Sequence, residues 1–165
     1  MRTEEIKIYK FKELNKDIQE KVISDYRTKN EYEFLSDNLK ECLFQELEKH
    51  KIHVVDEAKH YFSLAYCQGD GYMFFGRYKW KNYNVFIEHS GHYFHSNSKN
   101  ITIETIHGNE AKDEVYTAFE EIYKEICDTQ EKQGYSEIEQ EDSEENIKDL
   151  IEMNEYEFLE NGEVF

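Results

Sequence analysis

Three histidines recur at intervals of three, His89, His92 and His95, with Ser90-Gly91 and Tyr93-Phe94 between them. Neutral imidazole is a good ligand for zinc, nickel or iron, and histidine suits proton transfer near neutral pH. Upstream, Asp70 sits in a Gly69-Asp70-Gly71 turn beside Gln68. It is the carboxylate that could join the histidines in a metal or small-molecule site, with Glu88 as a second acid. The spacing works against three shared ligands. On a flat strand residues three apart point to opposite faces, so His89 and His95 share a face and His92 joins them only if Ser90-Gly91 makes a bulge. No acid or cysteine stands at a diagnostic metal spacing nearby, and no nucleophile or oxyanion device accompanies the histidines. The residues favour structural or surface roles: glycine supplies φ > 0 and aspartate tolerates turn geometry. No metal and no cofactor is therefore expected. A metal-dependent or small-molecule-binding enzyme centred on Asp70, His89, His92 and His95 is the alternative.

Cys42, Cys67 and Cys127 are far apart, odd in number and form no C-x-x-C, which argues against a disulfide framework or zinc knuckle. Cys42 and Cys127 fall on apolar helical stripes and Cys67 ends an apolar run, so all three read as buried, inert thiols. The segment RYKWK (77–81) interleaves Arg77, Lys79 and Lys81 with aromatics, as nucleic-acid platforms do. A net charge of −17 opposes that use, because attraction to phosphate supplies most non-specific binding. Direct nucleic-acid binding is not expected, and Tyr78 and Trp80 read as packing residues.

The charge is unevenly placed. From Glu131 to Phe165 thirteen acids face two lysines, a net of −11, against −6 for the first 130 residues. Such a field repels nucleic acid and anionic membranes and attracts basic surfaces. The acids that could meet a partner are Glu137, Glu139, Glu141, Asp142, Glu144, Glu145, Asp149, Glu152 and Glu155. The apolar stripe of NIKDLIEMNEYEFL (146–159) is too regular for a solubility tail and needs somewhere to dock, on its own sheet or in a partner's groove. Solubility alone is the competing explanation of the acids.

These residues need a scaffold, and the hydrophobic pattern outlines one. IKIYKF (6–11) reads as a short strand or an extended lead-in. Asn15 can cap a helix to about Arg27, with Ile18, Val22, Ile23 and Tyr26 as its stripe. A second helix covers about 31–50, with Phe34, Leu35, Leu39, Cys42, Leu43, Phe44 and Leu47 as its inner face. Between 52 and 106 the pattern changes to β-branched and aromatic runs: IHVVDE, HYFSLAYCQ, YMFFGRYKW, YNVFIEHS, HYFHS and NITIETI. Short turn-like pieces separate them. Spacers this short favour an antiparallel meander over βαβ crossovers, and twelve of the 25 aromatics lie between Tyr61 and Phe94, so this sheet should supply the core. A third helix, about 110–131, carries the stripe Val115, Ala118, Phe119, Ile122, Tyr123 and Ile126, and Gly134 is expected to end it. SEIEQEDSEE (136–145) reads as a solvated linker, and a last helix runs from Ser143 to about Leu159. The N-terminal ten residues lack the apolar core of a signal peptide, no run of about 18 apolar residues could span a membrane, and the chain reads as cytoplasmic with reduced thiols.

The chain resembles a group of small phage- and prophage-encoded proteins that begin with a Y-x-F-x-E-L element and a helix ending in Y-R. They later carry a Y-S-L-x-Y-x-Q-G-D-G strand and turn. The matching positions are Tyr9, Phe11, Glu13, Leu14, Gln19, Tyr26, Tyr61, Ser63, Leu64, Tyr66, Gln68, Gly69, Asp70 and Gly71, within about 7–106. Some members of the group are loosely labelled antitoxins. The resemblance implies a mobile-element origin and carries over no catalytic residue, and the acidic end lies outside it.

The expectation is an α+β fold: an antiparallel sheet of about five strands against two or three helices over 1–134, then an acidic linker and helix over 135–165. The function expected is that of a non-enzymatic phage accessory protein acting in the host cytoplasm by protein binding. It would be an acidic, anti-CRISPR-like inhibitor of a host protein or ribonucleoprotein with a basic surface, and would bind neither nucleic acid directly nor membrane. An antitoxin neutralising a basic toxin is the nearer alternative, and the enzyme the more distant one.

Overall fold

A computed structural model of the chain describes residues 5–165. The expectation about a leader falls partly on residues 1–4, which lie outside the described residues. The chain is an α+β protein whose described residues form one five-stranded antiparallel sheet, a second sheet of two strands and four α-helices. It divides into two compact units. One is formed by residues 1–33 and 137–165, the other by 34–136.

In the second unit, helix α2 (Leu35–Lys49), the short strands β2 (Ile52–Val54) and β3 (Lys59–Ser63), the long strand β4 (Gly71–Trp80), β5 (Tyr83–His89) and β6 (Lys99–Thr105) follow in order, and most of helix α3 (Asp113–Glu141) completes it. Strands β2, β4, β5 and β6 are neighbours in that order, and β3 pairs with the first half of β4. Ile52 pairs with Trp80 and Val54 with Tyr78, while Lys59 pairs with Phe75 and Ser63 with Gly71. Four residues, 55–58, thus stand opposite two, 76–77, so β2 and β3 act as one edge strand broken by a bulge. Gly76 makes room for it. Its φ is +137°, and a Cβ there would lie 2.6 Å from the Glu57 carbonyl oxygen.

Burial follows the pleat over the second half of β4, while Gly71–Phe74 are buried at every position. Tyr72, Phe74, Tyr78 and Trp80 alternate along β4 and are buried together with Val85, Ile87 and Ile103. Leu39, Leu43 and Leu47 of α2 and Phe119, Tyr123 and Ile126 of α3 complete this core. Trp80 meets Phe119 edge-on at 5.2 Å, and Phe74 lies 4.6 Å from Tyr123. The pairing of β4 with β5 begins only at Gly76. Just before that point the hydroxyls of Tyr123 and Tyr78 donate to the carbonyls of Phe74 and Phe75, at 3.1 and 3.0 Å. Buried carbonyls of this kind need a partner, and tyrosine supplies an apolar body with a polar tip.

The other unit is built from both parts of its sequence. Strand β1 (Tyr9–Lys10) pairs antiparallel with β7 (Glu157–Phe158), and a 3-10 turn (Phe11–Glu13) leads to helix α1 (Lys16–Lys29). Asn15 caps α1 by accepting the Ile18 N–H at 2.9 Å. Helix α4 (Glu144–Met153) begins at Ser143, whose hydroxyl oxygen accepts the Asn146 N–H at 3.2 Å. Phe11, Leu14, Val22, Ile23, Ile147, Ile151 and Phe158 form one apolar core.

Several expectations are corrected. Gly134 does not end the third helix, which runs on to Glu141. The glycine serves close approach instead, since a Cβ there would lie 2.4 Å from Leu64 Cδ1. The residues expected as a linker, 136–145, are therefore largely helical, consistent with their glutamates, which are good helix formers. The expected division at residue 134 gives way to the two units above, because the stripe of α1 is buried with that of α4. The last helix ends at Met153, and Phe158 belongs to β7. HYFHS (92–96) is a loop between β5 and β6, and IKIYKF contributes only Tyr9–Lys10 as strand. Gly76→Ala should lower stability by about 1–3 kcal/mol, through strain at positive φ and the clash with Glu57. Urea melts would read this as a lower midpoint at unchanged slope.

Candidate functional site

The Asp70 carboxylate organises its own turn. Oδ1 accepts the Ser63 hydroxyl at 2.9 Å and the Cys67 thiol at 3.2 Å. Oδ2 accepts the N–H groups of Ala65 and Cys67 at 2.8 and 2.9 Å and the Tyr135 hydroxyl at 2.5 Å. A carboxylate offers about four lone-pair directions, and five donors fill them. Desolvation works to raise this carboxyl's pKa, but the bonds from Tyr135, Cys67 and Ser63 outweigh it and hold the group well below the usual carboxylate range. Tyr135 moves the other way, up to about 12, through desolvation and its bond to Asp70.

The histidines that the sequence groups with Asp70 have separate tasks. His89 ends β5 and donates through Nε2 to the Tyr93 carbonyl at 3.2 Å. His92 is exposed against the Tyr93 ring. His95 stacks on Tyr93, the ring centroids 5.6 Å apart, and accepts the Asn97 N–H through Nδ1. No group of three or more His, Cys, Asp or Glu side chains among the described residues is placed to hold a metal ion. Cys127 is buried, and desolvation pushes its thiol up to about 12. Cys42 is half-buried. Cys67 is exposed rather than buried, because it lies in the turn past the end of β3, and its hydrogen bond to Asp70 raises its pKa. Raised thiols are poor nucleophiles.

The nine acids singled out in the sequence lie in the unit that holds α1 and α4, and they divide in two. Glu141 and Asp142 turn inward. Asn30 Nδ2 donates to Glu141 at 3.1 Å and to Asp142 Oδ1 at 3.4 Å. The Tyr32 hydroxyl donates to Asp142 Oδ2 at 2.7 Å, and Arg27 Nε donates to the Asp142 carbonyl at 2.8 Å. Glu137 is half-buried. Glu144 is paired with Lys148 on the same helix, which lowers its pKa. Glu152 pairs with Lys12 at 2.6 Å. Glu155 is exposed, and its carbonyl accepts Lys10 Nζ at 3.3 Å. Glu139, Glu145 and Asp149 are exposed and have no hydrogen-bond or ion-pair partner among the described residues.

Geometry gathers three of these acids into a row. Glu145, Asp149 and Glu152 follow i, i+4, i+7 spacing along α4 and share one flank of it, while Ile147 and Ile151 are buried on another. The row spans about 10 Å at 1.5 Å per residue. Sequence reasoning missed the internal partners that hold this surface, namely the cations Lys12 and Arg27, the Asn30 amide and the Tyr32 hydroxyl, and it missed Tyr135 as the partner of Asp70. Neither set has a local sequence signal, since the paired residues are 65 to 140 positions apart. None of the described helices is long and apolar enough to cross a membrane. Compared with protein-family models, curated proteins and solved structures, the chain matches none of them.

Because the folded-state pKa of Asp70 is depressed, its contribution to stability is complete above the unfolded value, about pH 4. It is lost as pH falls further, when the unfolded chain takes up the proton first. Asp70→Asn should cost about 1–3 kcal/mol at pH 7. Thermal melts at pH 7 and pH 3 should show the gap from the native chain narrowing at the lower pH. An equal gap at both would mean that the carboxylate charge contributes nothing.

Proposed function

We propose that this protein is a non-enzymatic accessory protein of a phage or prophage that acts by presenting fixed carboxylates to a partner with a basic surface. The partner class that fits is a host nucleic-acid-binding defence complex, because such assemblies hold nucleic acid in positively charged channels. The protein would compete for that channel in the manner of an anti-CRISPR inhibitor. One observation carries the reading: the Glu145–Asp149–Glu152 row stands on a helix whose opposite side is buried, so the acids belong to a folded surface rather than a loose tail. Preorganised charge loses little conformational freedom on binding and steers association at rates that fall with salt. The resemblance to phage-encoded proteins supports the setting, and the chain's net charge of −17 disfavours nucleic acid as a direct ligand.

The test is inhibition of plasmid cleavage by a purified CRISPR effector, with effector binding measured at about 50 and about 500 mM salt. The native chain should inhibit and should bind more weakly at high salt. Glu145→Lys/Asp149→Lys/Glu152→Lys should lose at least about tenfold in affinity, equivalent to about 1.4 kcal/mol, with an unchanged melting temperature. Equal inhibition by the charge-reversed chain would contradict the proposal. Recovery of one small basic toxin from the native host would instead favour the antitoxin reading, which uses the same surface.

A further inference from the structure

Beside the carboxylate row runs an open groove of about 310 Å³ between the 3-10 turn at Phe11–Glu13 and α4. Half-buried Tyr156 gives it an apolar wall, the almost fully buried Phe11 and Ile151 complete its apolar lining, and Glu152 and Glu155 stand along one side. Lys10 and Lys12 stand along the other, and both are already engaged: Lys12 with Glu152 at 2.6 Å and Lys10 with Glu157 at 3.0 Å. Tyr156, like Tyr26, is partly buried and packs against the apolar core of this unit. The volume is at the low end for a small-molecule pocket. The groove is also open along the helix, so it suits a side chain delivered by a larger partner better than an enclosed ligand.

Its setting selects the occupant. Glu152 is both the last member of the acidic row and a wall of the groove, so anything seated on Phe11 and Ile151 while lying along α4 passes Asp149 and Glu145. The Lys12–Glu152 pair is solvent-exposed on both sides, at 77% and 47%, and exposed pairs of this kind are worth little. An incoming cation can therefore replace Lys12 at small cost. Nucleic acid and anionic membrane are repelled by the flank, and a second copy of this chain carries the same −17.

We infer that this groove is the anchor point of the binding surface, taking one apolar side chain from a basic amphipathic helix of the partner while Glu145, Asp149, Glu152 and Glu155 receive its lysines or arginines. The inference rests on the proposed function and adds an apolar, position-specific element to a reading otherwise made of charge alone. Helix-in-groove recognition uses anchors spaced one turn apart, and a central apolar anchor is where binding energy concentrates.

Two labelled 16-residue helical peptides serve as probes on the full chain: one rich in Lys and Arg with a leucine stripe at i, i+4, i+7, and its counterpart with serine at the leucines. Fluorescence anisotropy at low salt should show the leucine peptide binding at least tenfold more tightly. Amide shifts should centre on Phe11, Ile151 and Tyr156, and Glu155→Lys should weaken the leucine peptide several-fold without changing the melting temperature. Equal affinity for both peptides, with shifts confined to Glu145–Glu152, would overturn the groove and leave the charge-based function standing. Binding of neither peptide would also overturn the groove. The function would then be judged by the effector experiment alone.

Discussion

The carboxylate row on α4 depends on how the acidic end is fastened, and Asp142 is the point of fastening. Both carboxylate oxygens and the main-chain carbonyl of this one residue are occupied, by Tyr32, Asn30 and Arg27. These donors come from the opposite end of the sequence. They sit where α3 stops and α4 starts, two residues after which the Ser143 cap satisfies the Asn146 N–H. Helix ends leave unsatisfied backbone groups, so a junction of two helices needs such partners to hold one geometry. With the junction held, Ile147 and Ile151 reach Val22, Ile23 and Phe158 in a common core. The outward flank of α4 then follows from helical periodicity alone.

Charge bookkeeping takes a different form once the pairing is known. The segment 137–165 contains twelve acids and one lysine, whereas residues 1–33 contain eight of each sign. The bases nearest the acids, Lys10, Lys12 and Arg27, are spent on holding the unit together. What remains for a partner is therefore narrower than net charge suggests. Each such exposed pair contributes little to stability by itself. Their combined effect is to set which carboxylates are left free among the described residues: Glu139, Glu145, Asp149 and Glu155 rather than all nine.

The elements with strong local periodicity were legible in the sequence. The stripes of α1 and α3 match their buried faces, and that of α2 does so except at Phe34 and Phe44, which are exposed; Asn15 and Ser143 act as caps, and the aromatic meander forms the main sheet. What was not legible depended on distant partners. Gly134 carries the usual mark of a helix end, and only the approach of Leu64 reveals why it sits inside one. The acidic stretch after it has the composition of a solvated linker, yet it is largely helical, and its end at Glu141 and Asp142 is bonded to residues more than a hundred positions away. Asp70 was recognisable as a turn residue. That its carboxylate is saturated by five donors depends on Tyr135, which no spacing rule connects to it. The carboxylate row was visible as composition, and the groove beside it was not visible at all.

Amide hydrogen exchange across residues 137–153 of the full chain tests most directly whether the acids form a fixed surface. Protection of the Ile147–Met153 amides at least about a hundredfold above unstructured rates, with its loss in Asp142→Ala, is what this account predicts. Exchange of these amides at the rate of an unstructured peptide, or protection indifferent to Asp142, would contradict it.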